Sequence, residues 1–290
     1  MEQLREQFLI DAATHAGIIH DALEDHLIDL EGLHSFYNAS TFVTRKAFAA
    51  FVAPTLKTRP GIRAFEWIPR VAYPERARFE AEAHRDGLQD YQIFQLDPKG
   101  NKVAVGPHQY YYPVYYVEPL AGNEPAVGFD LGSNPARLAA LEQAADTGRP
   151  VATERITLVQ ETGSQAGFLI FIPVYRQEIP LTTAEQRNIA LQGFVLGVFR
   201  AGDAVEAAVR PSPEKGLWTE LVDMYGPIDA RLLYRFEREQ LPLKVVTWKT
   251  LLAPSITLRY EYPYYYAGRE WRVDITASPP YVQGHISLSY

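Results

Sequence analysis

One carboxylate in this sequence, Asp130, lies where binding chemistry is expected. It follows a short apolar strand and the glycine Gly128, and it precedes a predicted helix that begins near Pro135. A carboxylate accepts charge-assisted hydrogen bonds, which are stronger than bonds between neutral groups, so Asp130 suits a ligand ring with N–H donors. The same side chain also suits backbone amides of the loop before the helix. Both interpretations of Asp130 are open.

A cluster of tyrosines with flanking prolines precedes this carboxylate, between Gln109 and Val117. One interpretation is a sheet face or edge whose phenols reach solvent. The other is an aromatic wall that stacks on a planar ligand, with Tyr112 as a candidate ligand-binding residue. Phe129, next to Asp130, is a further candidate ligand-binding residue.

Two predicted strands beyond the helix supply apolar side chains at alternate positions. The pairs are Phe168 with Ile170 and Phe194 with Leu196. Alternate residues of a strand share a face, so the members of each pair point the same way. We expect all four to border the same pocket as Asp130, and core packing is compatible with that role.

The elements that must position these residues form one stretch, Tyr110–Tyr175. An aromatic strand leads to Gly128–Asp130, and a helix follows that is opened by Asn134 and closed by Gly148. Two strands then return, Val151–Val159 and Ala166–Tyr175. This order predicts a sheet with a helix laid across it, which forms the floor and lid of a small-molecule site.

Sequence signals for catalysis are absent. The chain has no cysteine, which excludes disulfides and thiolate metal sites, and it has no HExxH, Walker A, GxGxxG or GxSxG motif. A glycosidase-type carboxylate pair of Glu118 with Asp130 is a weak alternative. We therefore predict no catalytic residue, no metal and no cofactor.

The composition argues against one class of binding partner and is typical of one kind of fold. The net charge is −7 and no basic stripe is visible, so nucleic acid is not expected as a partner. The 18 tyrosines and 21 prolines suit a protein of strands and turns with an aromatic interior. No apolar run is long enough to span a membrane.

Residues 2–37 are predicted to form one long helix, because apolar residues recur at spacings of three and four. It either packs lengthwise on its own domains or forms a stalk that pairs with a second copy. His15, His20 and His26 lie on it at spacings that do not share a face, so we expect solvated histidines and no metal site.

Beyond Phe199 the sequence predicts a short helix, a boundary at Arg210–Pro213 and a smaller sheet. The strands of this sheet are expected near Leu217–Tyr225, Arg231–Phe236, Ser255–Tyr262 and Glu270–Ala277. No helix comparable to Pro135–Asp146 accompanies them, so we expect no ligand site in this part.

A series of motifs extends through the first two thirds of the chain. The motifs are Phe65–Val71, Tyr112–Val114 with Glu118–Pro119, Gly128–Asp130, Ala145–Gly148, Leu158–Gln160, and Gly167–Leu169 with Pro173–Tyr175. Their order and spacing resemble the CHASE family, the extracytoplasmic sensor module of histidine kinases, diguanylate cyclases and plant cytokinin receptors. The resemblance extends from about Phe36 to Phe199.

This resemblance implies an α+β fold: a long N-terminal helix followed by two PAS-like domains with antiparallel sheets. The implied division is an N-terminal stalk with connecting helices at 1–57, a membrane-distal ligand-binding domain at 58–205 and a membrane-proximal domain at 206–290. In the plant receptors an aspartate that matches Asp130 accepts hydrogen bonds from an adenine ring, and a backbone group near Ala152 completes the polar contacts. Thr147 matches a residue that we interpret as structural.

The resemblance also implies a function. We expect a non-enzymatic, extracytoplasmic sensor, periplasmic or extracellular, that binds a small organic and possibly adenine-like ligand. Flanking transmembrane helices outside this chain would connect it to a histidine kinase or diguanylate cyclase. A parallel homodimer through the N-terminal helix is expected. The alternative is a dimerisation or protein-interaction module that binds no ligand.

Overall fold

A computed structural model describes residues 2–159, 165–211, 216–236 and 257–287 of the chain. The boundary at Arg210–Pro213 and the predicted strand Ser255–Tyr262 therefore lie partly outside the described residues, as does Gln160 of the motif Leu158–Gln160.

The long N-terminal helix α1 spans Glu2–Asn38, which is 37 residues. Its apolar side chains form one stripe, and the buried members of this stripe run from Leu4 to Tyr37. At a rise of about 1.5 Å per residue, α1 is about 55 Å long. The stripe packs against the two main sheets described below. The helix α1 thus packs lengthwise on its own domains, which is one of the two arrangements that the sequence left open. No helix in the described ranges is long and apolar enough to cross a membrane.

A five-stranded antiparallel sheet forms the first half of the protein, in the order β6-β1-β9-β8-β7. Its strands are β1 (Ile62–Pro69), β6 (Tyr116–Glu118), β7 (Val151–Ala152), β8 (Gly167–Tyr175) and β9 (Leu191–Arg200). Shorter strands form two small sheets at its side: β2 (Val71–Ala72) with β5 (Tyr110–Tyr111), and β3 (Phe94–Leu96) with β4 (Lys102–Ala104).

Helices connect and cover this sheet. They are α2 (Arg45–Thr58), α3 (Arg76–Arg85), α4 (Pro135–Thr147), α5 (Ala184–Ala190) and α6 (Ala201–Val209). Thr44 caps the start of α2, because its side chain accepts a hydrogen bond from the Ala47 amide at 3.1 Å.

Local signals set both ends of α4. The Asn134 side chain accepts a hydrogen bond from the Arg137 amide at 3.1 Å, and Pro135 occupies the first helical turn. Gly148 ends the helix with φ of 70°, a left-handed conformation that glycine adopts without a side-chain clash. The Thr147 hydroxyl donates to the Gln143 carbonyl at 2.7 Å, so Thr147 stabilises the last turn, as predicted.

A four-stranded antiparallel sheet follows, in the order β11-β10-β13-β12. Its strands are β10 (Leu217–Asp223), β11 (Leu232–Phe236), β12 (Arg259–Tyr266) and β13 (Arg269–Ala277), and a helix, α7 (Pro279–Ser287), comes after them. The α+β fold with a long first helix and two antiparallel sheets is therefore confirmed.

The five-stranded sheet buries a different core on each face. One face packs on α1 and on residues of the smaller sheet, and we call this the α1-side core; Phe65, Phe168 and Phe199 belong to it. The other face packs on α4 and the loop before it, and we call this the α4-side core; Phe194 and Leu196 belong to it.

The two sheets are joined directly as well as through α1. The amide of Ala152 on β7 donates to the Ala267 carbonyl at the end of β12, at 2.7 Å. Phe168 on β8 meets the Trp271 ring on β13 edge-on, with 4.9 Å between ring centroids. The Tyr266 hydroxyl donates to the Leu23 carbonyl of α1 at 2.8 Å.

The expectation of solvated histidines on α1 is wrong for two of the three. His15 is buried against the four-stranded sheet, where its Nε2 lies 3.0 Å from the Thr219 hydroxyl. His26 is buried and stacks on Phe199. Burial lowers the pKa of His15 to about 4 and, with a smaller effect of Arg59, also lowers the pKa of His26 to about 4. Both histidines are therefore neutral at pH 7.

Several predicted bounds were wrong. The strand predicted at Val151–Val159 ends at Ala152, and the residues after it continue as irregular chain. The helix α5 and the C-terminal helix α7 were not predicted.

Candidate ligand-binding site

Asp130 lies between the α4-side core and the loop that leads into α4. Its Oδ1 accepts hydrogen bonds from the amides of Tyr112 at 2.8 Å and Gly132 at 3.1 Å. The residue is only 1% exposed. Among the described residues, Oδ2 has no hydrogen-bond partner. Asp130 therefore stabilises the loop through Oδ1, and Oδ2 is available to a hydrogen-bond donor.

The charge of this carboxyl is set by opposing effects. Burial raises the pKa of Asp130 above its ordinary value. The two backbone amides and the nearby charges of His108 and Arg76 act in the other direction. A donor that reached Oδ2 would add a further stabilising contact to the ionised form.

Four of the predicted aromatic and apolar residues lie on the same side of the sheet as α4. Phe129 and Leu196 are buried in the α4-side core. The half-buried Tyr112 packs against this core and meets the ring of Phe194 edge-on at 5.8 Å. Together with Phe194, these residues form an aromatic and apolar wall beneath α4.

Phe168 and Ile170 lie on the opposite face, so the expectation that they share a pocket with Phe194 and Leu196 is wrong. Phe168 pairs with Phe199 across β8 and β9, and Phe171 pairs with Leu196. Directly opposed residues share a face of a sheet. The even-numbered residues of β8 therefore face α1, whereas the even-numbered residues of β9 face α4. Phe168 and Ile170 accordingly belong to the α1-side core.

Ala152 also lies on the α1 side, and its amide is engaged with Ala267. It lines an open cleft of about 270 Å³ between α4, β7 and Arg269 of the smaller sheet. Arg269 forms an ion pair with the buried Asp223 at 2.7 Å. Ala152 is thus at the junction of the two sheets, and Asp130 is not among the residues that line this cleft.

The interior beside Asp130 is closed by side chains. Phe129 and Leu131 on either side of it are both buried. Two further clefts, of about 420 Å³ near His34 and about 650 Å³ near Leu4, also lie away from Asp130. A ligand at Asp130 would therefore need α4 or its preceding loop to move.

Two charged residues of the α4-side core were not predicted. Glu66 is at the middle of β1, opposite Leu196 on β9 and Val117 on β6, and is 2% exposed. Arg137, in the first turn of α4, is buried with its guanidinium over the Phe129 ring. A sequence signal existed for Glu66: Ala64, Glu66 and Ile68 alternate, which places a carboxylate on the same face as two core residues.

Glu66 and Arg137 each affect the pKa of the other. Burial raises the pKa of Glu66 to about 8, and the charge of Arg137 partly opposes that rise. Burial likewise lowers the pKa of Arg137 to about 10, and Glu66 opposes that change. At pH 7 the core therefore holds a charged Arg137 beside a largely protonated Glu66.

Within the described part of the chain, no group of three or more histidine, aspartate or glutamate side chains is placed to hold a metal ion. The site offers hydrogen-bond donors and acceptors inside an apolar core, which suits binding.

Comparison with solved structures finds a similar fold in the ligand-binding domain of a chemoreceptor. The ligand-binding domain of the Pseudomonas aeruginosa amino acid chemoreceptor PctB, in complex with L-Arg, is 13% identical, with a TM-score of 0.51 and 96% of each chain covered. The periplasmic sensory domain of the Campylobacter jejuni chemoreceptor Tlp1 is 13% identical, with a TM-score of 0.49 and coverage of 97% of this chain and 96% of that one.

A third match is an extracellular ligand binding receptor from Desulfohalobium retbaense, 11% identical with a TM-score of 0.46. The match covers 96% of this chain but only 40% of that receptor. A search of curated proteins found no significant match.

The family comparison is more specific than these structures. The model of the CHASE domain matches residues 41–234, which is more than half of the 290-residue chain and includes Glu66, Asp130 and Arg137. The matched region contains the whole five-stranded sheet, and it extends beyond the resemblance that ended near Phe199. The chain belongs to the CHASE domain family of extracytoplasmic sensor domains.

Proposed function

We propose that this chain is the ligand-binding sensor of a transmembrane receptor whose output domain is a histidine kinase or a diguanylate cyclase. A small organic ligand of the adenine (cytokinin) type binds inside the distal PAS-like domain, residues 58–205. The chain itself performs no catalysis. The observation that carries this proposal is Asp130, a buried carboxylate of a CHASE domain whose Oδ2 has no partner among the described residues.

The fold provides a route from this site to the ends of the chain. Asp130 and Gly132 form the loop that leads into α4, and α4 covers the five-stranded sheet. The opposite face of that sheet packs on α1, which also contacts the smaller sheet. A ligand that favours one position of α4 would bias the position of α1, provided that it binds one state more tightly than the other.

Ligand binding at Asp130 is testable by thermal or chemical unfolding with a panel of adenine, cytokinins and other small metabolites. A ligand at 100 times its dissociation constant should stabilise the protein by about 2.7 kcal/mol. Asp130→Asn keeps an oxygen for the Tyr112 and Gly132 amides but removes the charge. It should therefore fold and bind at least about tenfold more weakly, because a hydrogen bond to a charged group contributes about 1.5–3 kcal/mol.

The control for this experiment is Asp229→Asn, because Asp229 is exposed and lies between β10 and β11 of the smaller sheet. It should bind like the wild type. An adenine-type compound that stabilises Asp130→Asn and the wild type equally would place the ligand elsewhere.

Assembly through α1 is part of the proposal. The outer face of α1 carries exposed apolar residues, among them Leu9, Ile10 and Ile28. A parallel homodimer would cover this face, so we expect sedimentation at high concentration to give twice the chain mass of 32.8 kDa. Ile10→Glu with Ile28→Glu should shift the protein to a monomer. A monomeric wild type at the highest concentrations would contradict the dimer.

A second candidate function is supported by the closed interior beside Asp130. If the core is filled in every state, the chain serves as a dimerisation or protein-interaction module of a receptor. Stabilisation by a small molecule that depends on Asp130 favours the sensor, whereas a dimer that responds to no compound favours the module.

A further inference from the structure

The open cleft of about 270 Å³ at the junction of the two sheets, which we call the junction cleft, has walls of different character. Short side chains of α4, those of Ala136, Ala139 and Ala140, line one wall and leave room beside the helix. Two residues of opposite charge, Glu154 and Arg269, line the same space. An apolar wall with a few converging polar groups is the pattern of a small-molecule site.

The hairpin between β12 and β13 brings Arg269 to this cleft. Its two-residue turn, Ala267–Gly268, has positive φ at both positions, 43° and 80°, as the tightest hairpin turns require. The Ala267 carbonyl accepts the hydrogen bond from the Ala152 amide at 2.7 Å, so the turn is fixed against β7. Arg269 directly follows the turn and is therefore held beside α4.

A buried carboxylate orients the Arg269 guanidinium. Asp223, which is 1% exposed, accepts hydrogen bonds from Nε at 3.1 Å and from Nη2 at 2.7 Å. Among the described residues, none accepts a hydrogen bond from Nη1. The arginine side chain carries five N–H donors, so both donors of Nη1 remain for a group in the cleft.

Glu154 supplies the opposite charge from the five-stranded sheet. It is half-buried two residues after β7, and the residue before it, Thr153, is fixed to Leu169 of β8 by two hydrogen bonds of 2.9 and 3.1 Å. Within the described ranges, the Glu154 carboxylate has no hydrogen bond or ion pair, and none joins it to Arg269. The two charges thus line one space without pairing with each other.

We propose that the junction cleft binds a small zwitterion, whose carboxylate accepts hydrogen bonds from Arg269 Nη1 and whose ammonium group donates to Glu154. Both contacts are of the charge-assisted kind, which is the stronger kind. The alanines of α4 contact the methylene groups between the two ends. Pockets for drug-sized ligands measure roughly 300–1,000 Å³, so a cleft of about 270 Å³ suits a smaller molecule, such as an amino acid with a short carbon chain.

This site goes beyond the ligand proposed at Asp130, which does not line the junction cleft. A zwitterion in the cleft would bridge the two sheets, because Arg269 belongs to β13 and Glu154 follows β7. It would add to the direct contacts between the sheets, the Ala152–Ala267 hydrogen bond among them. Binding there would favour one relative position of the sheets over others.

The test uses three zwitterions of increasing length: glycine, β-alanine and 4-aminobutyrate. Calorimetry compares each with the acid and the amine that lack its other charged group, such as butyrate and butylamine for 4-aminobutyrate. In the wild type, at least one zwitterion should bind at least about tenfold more tightly than either of its two analogues. The length that binds most tightly measures the gap between Glu154 and Arg269.

Two variants alter the two walls of the cleft. Glu154→Gln keeps the size of the side chain and removes its charge, so the advantage of the zwitterion over the acid should fall below about threefold. Ala139→Leu starts from an exposed position of α4 and fills the cleft, so it should weaken every zwitterion at least about tenfold. Arg269 is kept, because its removal would leave Asp223 buried without its partner.

The matched control is Glu142→Gln, because Glu142 is exposed on α4 and does not line the cleft. It makes the same change of charge as Glu154→Gln and should bind zwitterions like the wild type. A merely structural role of Glu154 would change the unfolding midpoint of Glu154→Gln and leave the ratio of zwitterion to acid affinity unaltered.

Two results would overturn this inference. One is a wild type that binds none of the three zwitterions more tightly than their analogues. The other is an unaltered zwitterion affinity in Glu154→Gln or in Ala139→Leu. Asp130→Asn should bind zwitterions like the wild type; a loss in that variant alone would place them beside Asp130. The proposed function is judged separately, by Asp130-dependent binding of adenine-type compounds, so either proposal can fail while the other stands.

Discussion

The free energy of unfolding of Glu66→Gln is compared with that of the wild type. The difference in favour of Glu66→Gln is expected to be roughly 3 kcal/mol larger at pH 8 than at pH 5. Burial raises the pKa of Glu66 to about 8 in the folded protein, from an ordinary value of 4.5. Between these two pH values the folded state retains a proton that the unfolded state has released. The wild type therefore loses stability as the pH rises through this range. The Glu66→Gln variant has no carboxyl group at this position and does not lose stability in this way.

The measurement is the free energy of unfolding in urea for both proteins at several pH values from 5 to 8. His15 and His26 act in the opposite direction, because their low pKa values favour unfolding as the pH falls from about 6.5 towards about 4. Their effect is the same in both proteins and cancels in the difference. A difference that does not change with pH would show that Glu66 is solvated or paired in the folded state.

Phe168→Ala is expected to destabilise the protein by about 3–5 kcal/mol, as large-to-small changes of buried phenylalanines do. Phe168 is fully buried, stacks on Phe199 with 4.9 Å between centroids, and meets Trp271 at the same distance. Its removal opens a cavity between the five-stranded sheet and the smaller sheet. The unfolding free energy in urea, followed by tryptophan fluorescence and by far-ultraviolet circular dichroism, measures this cost.

Phe42→Ala is the matched control, because Phe42 is 77% exposed in the turn after α1. It should change stability by less than about 0.5 kcal/mol. A loss below about 1 kcal/mol in Phe168→Ala would contradict the placement of Phe168 in the α1-side core. It would instead favour the sequence-based expectation that this side chain borders a ligand pocket.

These two experiments examine opposite faces of the same sheet. Glu66 and Phe194 face α4, where the proposed ligand binds, and Phe168 faces α1, where the signal would be transmitted. Because β8 and β9 contribute side chains to both cores, a shift of this sheet that is caused on its α4 side also changes the packing on its α1 side. The sheet is therefore the element through which Asp130 and α1 can be coupled.

Local features of the chain were predictable because their causes are local. The caps at Thr44 and Asn134 and the left-handed Gly148 depend on hydrogen bonds and backbone angles within a few residues. The length of α1 followed from its apolar spacing. The α+β fold and the CHASE family followed from motifs whose order and spacing are visible in the sequence.

The composition of the candidate site depended on the tertiary structure. Alternation within β8 and within β9 was visible, but which residues of the two strands share a face depends on their register, and no local signal sets it. Phe168 was therefore assigned to the wrong core. Burial of Glu66 and His26 also depends on residues that are distant in sequence. A hydrophobicity pattern counts glutamate and histidine as polar and therefore predicts that they are exposed. The sequence determined α1, the ends of α4 and the family; the pairing of strands decided which side chains face α4.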